Sequence, residues 1–172
     1  MKKLLLVIFG LMVVCSPWYT SHGQVTDTNA LWTWMGGPNT ATSPFVSYPP
    51  SRGTPTASAY PGTRVDAITW TDTAGKLWLF GGYYNNGNQF NDVWMYDPDI
   101  EMWTWMHGPT PTPTNGFNNA GTLGTQGVPD PANVPPARSR GAYWVDSAGK
   151  LWVFGGRGYT GTANRLADLW KY

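Results

Sequence analysis

The stretch RVDAITWTDTAGKLWLFGG, from Arg64 to Gly82, decides the fold because it occurs twice in the chain. A close copy, RSRGAYWVDSAGKLWVFGG, runs from Arg138 to Gly156, 74 residues further on. A unit repeated at this length buries its apolar surface against copies of itself. The repeat therefore predicts an array of similar modules.

Two further segments belong to the same repeat. NDVWMY, from Asn91 to Tyr96, returns as ADLWKY, from Ala167 to Tyr172, and LWTWM, from Leu31 to Met35, returns as MWTWM, from Met102 to Met106. The copies are out of phase. The sequence opens on the last element of one unit and reaches Tyr172 before that element recurs.

Each unit reads as four short strands joined by turns. The predicted strands of the first unit are 67–71, 76–80, 93–96 and 102–106, which are apolar or β-branched runs bounded by Gly, Pro and Asp. The run LWLF lacks polar alternation, so both faces of that strand need cover. Four antiparallel strands covered on both sides by similar sheets describe a propeller blade, so the fold class is all-β.

The motifs LWLFGG (77–82), NDVWMYDP (91–98) and WTWM (103–106) resemble kelch repeats. The shared marks are the double glycine, the Asp-Pro after the third strand and the tryptophan of the fourth. The long form AGKLWxFGG is similar to kelch arrays of secreted bacterial proteins, which are grouped with the central domain of galactose oxidase. The resemblance covers residues 31–172 and implies a ring of six or seven blades.

The expected organisation of residues 24–172 is a partial propeller. Residues 31–35 form a leading outer strand, 64–106 a complete blade and 138–172 an incomplete one. About two blades are therefore present, which favours a fragment of a longer ring. Alternatively, the leading strand completes the last blade of a partner chain, and the protein closes as a homo-oligomer, a trimer or tetramer.

The N-terminus is typical of a secretory signal peptide spanning 1–23. Lys2 and Lys3 precede an apolar run from Leu4 to Val14, which is too short for a stable membrane span. Small residues then favour cleavage after Gly23, and a secreted protein. Lipid anchoring at Cys15 is the less favoured alternative, because Val14 stands where a lipoprotein signal has a small residue.

Composition excludes several classes of partner and chemistry. The formal net charge is +1 and 12% of residues are charged, so no basic field attracts nucleic acid. The two histidines are His22 and His107, and Cys15 is the one cysteine, so the sequence predicts no metal, no cofactor and no catalytic residue. The copper ligands of galactose oxidase cannot be supplied. The acidic run Asp97–Glu101 is interpreted as a hairpin turn rather than a Ca²⁺ site.

The tryptophans and glycines of the repeat are predicted to be structural. Eleven Trp suggest sugar stacking, but most recur at equivalent strand positions, as packing residues do. The structural set comprises Trp78, Gly81, Gly82, Trp94, Trp105, Trp152, Gly155, Gly156 and Trp170.

Candidate ligand-binding residues fall in two groups. Arg64 and Arg138 precede the first strand of their units, where they either bind a carboxylate or bond loop carbonyls between blades; the second interpretation is favoured. Two short loops form the other group, with Tyr83, Tyr84, Asn85 and Asn86 in one and Arg157 and Tyr159 in its counterpart. The long loops 38–63 and 109–137 have diverged between the copies, as recognition loops do.

These patterns predict a secreted, non-catalytic kelch propeller that binds a protein or a glycan. Two alternatives stay open. One is a fragment of a carbohydrate-active kelch enzyme, galactose oxidase-like or sialic-acid epimerase-like, with its catalytic residues in other blades. The other is a structural spacer of a cell-surface protein. A fold alone does not select among them.

Overall fold

A computed structural model describes residues 31–38, 47–84, 88–110, 119–159 and 162–172. The predicted leader 1–23, with Cys15, lies outside these residues. The chain divides into two compact units, Met1–Trp34 and Met35–Tyr172. In the first unit, residues 31–34 carry no regular secondary structure and are exposed, and their role as an outer strand stays a prediction. The sheets lie within the second unit.

The first blade is a four-stranded antiparallel sheet in simple sequence order. Its strands are β1 (Ile68–Thr71), β2 (Leu77–Phe80), β3 (Val93–Asp97) and β4 (Met102–His107), and each pairs with the next. The predicted strands are confirmed to within one residue at each end. The part of the chain that the structure describes is all-β, and it includes no helix that could span a membrane.

The second blade repeats the first three of these strands and adds a short one. Its strands are β5 (Arg138–Ser139), β6 (Ala142–Val145), β7 (Leu151–Tyr159) and β8 (Ala163–Lys171). The nine-residue β7 pairs with the other three strands, all antiparallel. Strands β6, β7 and β8 correspond in the repeat to β1, β2 and β3.

The repeated DTAGK and DSAGK turns explain why the first hairpin of each blade forms. The Asp72 carboxylate accepts the backbone amides of Ala74 and Lys76 at 2.9 and 3.0 Å, and Gly75 supplies a φ of 79°. Asp146 holds the same turn in the second blade. Its other carboxylate oxygen accepts the Trp152 indole N–H, as that of Asp72 does for Trp78, so each turn also fixes a strand tryptophan.

The main core lies between the two blades. Ile68, Trp70, Phe80 and Val93 share one face of the first blade, and they pack against Leu151 and Val153 of the second. A second cluster covers the opposite face of the first blade, where Tyr48 and Ala59 of the preceding loop lie on Trp94 and Trp105. One blade thus has cover on both faces, as expected for LWLF.

The double glycine lies where the backbones of the two blades come into contact. Gly82 donates its amide to the Arg138 carbonyl at 2.9 Å, and a Cβ on Gly81 would stand 2.5 Å from that same oxygen. Gly81 and Gly82 also have φ angles of 64° and 95°. Both requirements select glycine.

An ion pair joins the blades at one repeat position. Asp66 and Arg140 are equivalent residues, and both adopt the left-handed region with φ near 54° and 59°. Arg140 Nε donates to the Asp66 carboxylate at 2.7 Å, and its amide donates to the Asp66 carbonyl at 3.2 Å. The two blades therefore carry opposite charges at this repeat position.

The burial of each tryptophan depends on whether another sheet or loop covers its face of the blade. Trp94 is fully buried, and Trp70 and Trp105 are each 8% exposed. Trp144, the repeat equivalent of Trp70, is 55% exposed, together with its face neighbours Phe154 and Leu169. The predicted packing role of these tryptophans is therefore observed only where a neighbouring sheet or loop covers them.

Candidate binding site

The Arg64 side chain is buried, and it makes its hydrogen bonds within its own blade and the loop that precedes it. Its guanidinium makes a two-pronged contact with Asp92, at 2.6 Å through Nη1 and 3.0 Å through Nη2. It also donates to the carbonyls of Gly81 and Pro61 and lies over the Phe90 ring. The side chain is 4% exposed.

Arg138 repeats this arrangement in the second blade. It contacts both carboxylate oxygens of Asp168, at 2.8 and 2.7 Å, and donates to the carbonyls of Gly155 and Pro136. Its side chain is fully buried. Planar guanidinium–carboxylate pairs of this kind are strong and geometrically specific.

Each paired carboxylate also fixes a strand tryptophan. The indole N–H of Trp94 donates to Asp92 at 2.7 Å, and that of Trp170 donates to Asp168 at 2.6 Å. Burial alone would raise the pKa of Asp168, but the bonds from Arg138 and Trp170 outweigh it and lower the pKa below its ordinary value. Both arginines thus connect the loop before the first strand to the third strand. This connection favours the structural interpretation of the two arginines. A ligand role for either stays a prediction.

The first short loop is only partly described. Tyr83 forms isolated backbone bridges with Val65 and Gln89, and the Tyr84 amide donates to the Asn88 carbonyl. Both tyrosines are half-buried. The other two candidates of this loop, Asn85 and Asn86, lie outside the described residues.

Arg157 and Tyr159 lie in a strand, which corrects their predicted place in a loop. β7 continues through both residues because β8 pairs with it as far as Ala163, opposite Tyr159. In that ladder, Arg157 stands directly opposite Arg165, and both are exposed. The longer second copy of this segment thus forms a two-stranded ribbon where the first copy makes isolated bridges.

The acidic hairpin turn holds a lysine. Lys76 Nζ contacts both Asp97 and Asp99, the latter at 2.8 Å. The hydrogen bond from Lys76 lowers the pKa of Asp97 below its ordinary value. These contacts agree with the turn interpretation, and among the described residues no cluster of three metal-ligating side chains occurs. His107 contacts the Pro131 carbonyl through Nε2 at 3.1 Å.

A cleft of about 1070 Å³ lies within the second unit. One wall is the second blade, and the other is the segment 123–135 of the long loop. Its apolar lining includes Leu123, Val128, Leu151, Val153, Trp170 and Tyr172. Leu123 and Val128 are 64% and 54% exposed, respectively. We call this surface the interblade cleft.

The loop wall of the interblade cleft is firmly held. Asn91 Nδ2 donates to the Pro135 carbonyl and to Asn119 Oδ1, and Thr122 pairs with Val134 through two backbone bonds. The Asn133 side chain closes the tip by donating to the Val128 carbonyl. A rigid loop of this kind suits recognition, because less ordering entropy is lost on binding.

The floor of the interblade cleft ends at an open strand edge. β8 pairs with β7 on one side, and within the described residues its other edge has no strand partner. In the first blade, the equivalent edge of β3 pairs with β4 from Val93 to Asp97. Sequence reasoning identified the long loop but not this cleft.

Comparison with known proteins bears on the first blade. Residues 73–112 match the family model of the kelch motif, and this range contains β2, β3 and β4. No curated protein matches the chain. The match and the two four-stranded antiparallel sheets agree with the resemblance seen in the sequence. The chain therefore carries a kelch motif at residues 73–112.

Proposed function

We propose that the chain is a secreted, non-catalytic binding module that takes protein ligands in the interblade cleft. The kelch motif favours a binding module, and the signal-like residues 1–23 support secretion. The observation that carries the proposal is the apolar cleft between the second blade and the loop segment 123–135.

The cleft suits an extended peptide segment. Alternate side chains of such a segment point to one face, where Trp170 and the exposed Leu123 and Val128 offer apolar contact.

Panning phage-displayed random peptides on the full chain tests the proposal. The expected result is enrichment of peptides with aromatic or large apolar residues at every second position. Binding of these peptides falls at least about tenfold in the double variant L123S/V128S, because its two apolar wall residues are gone. Since both residues are exposed, the variant keeps its fold.

Ile100→Ser is the matched control. Ile100 is 48% exposed and lies on the β3–β4 turn of the first blade, away from the lining of the cleft. We expect the Ile100→Ser variant to retain peptide binding. No enrichment, or equal loss in the two variants, would overturn the assignment of the cleft.

One observation favours a second candidate, an acidic carbohydrate on the β7–β8 ribbon. Arg157 and Arg165 face each other across the ladder, and neither has a carboxylate partner among the described residues. Like charges in this position repel, so a bound anion relieves the repulsion. Tyr159 follows Arg157 on the same face and offers a ring for stacking.

Titration with sialyllactose, with lactose as the neutral comparison, tests this candidate. We expect binding of the acidic sugar alone, and its loss in Arg165→Ser. Lys150→Ser removes a positive charge from a turn elsewhere and leaves binding unchanged. Equal binding of both sugars, or no binding of either, would refute it.

A further inference from the structure

We infer that a pocket between the two repeated turns binds a free amino acid with an apolar side chain, in its zwitterionic form. The pocket has a volume of about 240 Å³, with residues 72–74 of the first blade in one wall and residues 148–151 of the second in the other. Clefts that hold drug-sized ligands measure roughly 300–1,000 Å³, so this one suits a smaller molecule. The inference goes beyond the proposed function, and we call this site the turn pocket.

The two turns hold the walls of the turn pocket in place. A Cβ on Gly149 would stand 3.3 Å from Cγ2 of Thr73, so the turns lie in close contact. Each turn is closed by its own backbone bond, from the Gly75 amide to the Asp72 carbonyl at 3.1 Å and from the Gly149 amide to the Asp146 carbonyl at 2.9 Å. Walls that are fixed before binding cost less ordering entropy when a ligand enters.

Aromatic rings form the apolar part of the turn pocket. Trp70 and Trp78 stack with their ring centroids 5.4 Å apart, and the Tyr172 ring stands edge-on to Trp78 at 5.7 Å. The Tyr172 amide donates to the Leu151 carbonyl at 2.9 Å, which fixes the backbone that carries this ring. Trp78 is half-buried and lines the pocket, so part of its indole is open to a ligand. These rings favour an apolar or aromatic side chain.

Opposite charges lie in the two walls of the turn pocket. Asp72 lines it from the first blade and Lys150 from the second. Among the ion pairs of the described residues, none joins these two side chains. Lys150 repels a ligand that is only a cation and Asp72 repels one that is only an anion, whereas a zwitterion meets an opposite charge on each side. The lining therefore selects a ligand with both an ammonium and a carboxylate.

Hydrogen bonds keep Asp72 in its charged form. Its Oδ1 accepts the amides of Ala74 and Lys76, and its Oδ2 accepts the indole N–H of Trp78 at 2.8 Å. Burial alone would raise the pKa of Asp72, but these bonds outweigh it and lower the pKa below its ordinary value. Since a carboxylate accepts about four hydrogen bonds, Oδ2 keeps a position for the ammonium of a ligand.

Titration of the full chain with L-phenylalanine tests the inference. Tryptophan fluorescence, excited beyond the absorption of L-phenylalanine, reports occupancy. We expect saturable binding with a Kd of about 1 mM or below. Phenethylamine lacks the carboxylate and 3-phenylpropionate lacks the ammonium, so each should bind at least about tenfold more weakly. Equal binding of the three ligands, or no saturable binding of L-phenylalanine, contradicts the inference.

Ala148→Leu locates the site. Ala148 is exposed on the second turn and lines the turn pocket, so a larger side chain there occupies the space of the ligand. We expect L-phenylalanine to bind this variant at least about tenfold more weakly. Ser147→Leu is the matched control, because Ser147 is exposed on the same turn but is not part of the lining. Both variants keep the fold, since both positions are exposed. Equal effects of the two substitutions would place the ligand elsewhere.

Lys150→Met separates the effect of charge from that of shape. The variant keeps a long side chain but loses the ammonium that faces the ligand carboxylate. We expect L-phenylalanine to bind about tenfold more weakly, while phenethylamine, which has no carboxylate, binds as it does to the wild type. A similar loss for both ligands would show that Lys150 does not pair with the carboxylate, and the inference would then be wrong.

The outcomes distinguish this inference from the proposed function. The turn pocket shares Leu151 and Tyr172 with the interblade cleft, whereas Ala148 lines the turn pocket alone of the two. If random peptides bind the cleft and L-phenylalanine does not bind, the inference fails and the proposed function stands. If L-phenylalanine binds and no peptide is enriched, the proposed function fails and the turn pocket stands.

Discussion

At the residue scale, the most informative feature is the buried Arg–Asp–Trp contact that each blade contains. Arg138, Asp168 and Trp170 repeat the geometry of Arg64, Asp92 and Trp94. Breaking a buried ion pair by removing one partner leaves a charge without compensation, which is costly. The contact therefore makes each blade depend on residues far apart in sequence.

Arg138→Met is expected to lower the free energy of unfolding by about 3 kcal/mol, because it leaves Asp168 unpaired. Adding Asp168→Asn recovers part of this loss, since the variant then holds no unpaired charge. Urea unfolding followed by tryptophan fluorescence measures both. Arg140→Met, which breaks the exposed pair with Asp66, is the control and shifts the midpoint little. Similar losses in Arg138→Met and Arg140→Met would show that burial is not decisive.

The sequence contained a usable sign of this contact. Arg64 and Asp92 recur as Arg138 and Asp168, and charged residues kept at equivalent repeat positions are candidates for a pair. Their separation of 28 residues hid the contact, because spacing along a chain predicts contacts only within one helix or hairpin. The interpretation favoured for these arginines, bonds to loop carbonyls, foresaw only part of what they do.

At the element scale, equivalent strands differ in burial according to what lies against them. β1 alternates between buried and exposed positions, whereas all four residues of its counterpart β6 are exposed. Strand positions were predictable because turns such as DTAGK set the hairpins locally. The extension of β7 through Tyr159 was not predictable, because it depends on pairing with a segment whose length differs between the copies.

Equivalent tryptophan substitutions should therefore have unequal effects. Trp94→Ala removes a fully buried side chain and its bond to Asp92, at a cost of about 4 kcal/mol. Trp144→Ala removes a side chain that is 55% exposed, and we expect a cost of about 1 kcal/mol or less. Thermal unfolding of the two variants measures the difference. A large loss in Trp144→Ala would mean that its face is covered in solution.

At the scale of the whole molecule, hydrogen bonds and ion pairs of carboxylates connect turns, strands and blades. Hydrogen bonds from Trp152 and from the Lys150 amide lower the pKa of Asp146, and the bond from Lys76 does so for Asp97. A carboxyl whose pKa is lower in the folded state stabilises the fold above its unfolded pKa. That stabilisation is lost as the pH falls through the folded pKa.

Stability is accordingly expected to be constant from about pH 7 to pH 5 and to fall below about pH 4. Urea unfolding at a series of pH values measures the profile. Asp146→Asn removes one of the responsible carboxyls, so its profile falls less steeply in acid than that of the wild type. A steeper fall, or stability that rises in acid, would contradict this assignment.

The pair formed by Asp66 and Arg140 has a consequence for the order of the array. Duplicated units that are chemically identical have no means of distinguishing their neighbours, and they can stack in any sequence. Here one unit carries an anion and the next a cation at the same position, and the two meet at the seam. An unlike neighbour is thus attracted and a like neighbour is repelled. The contact between the two blades therefore joins complementary charges from equivalent repeat positions.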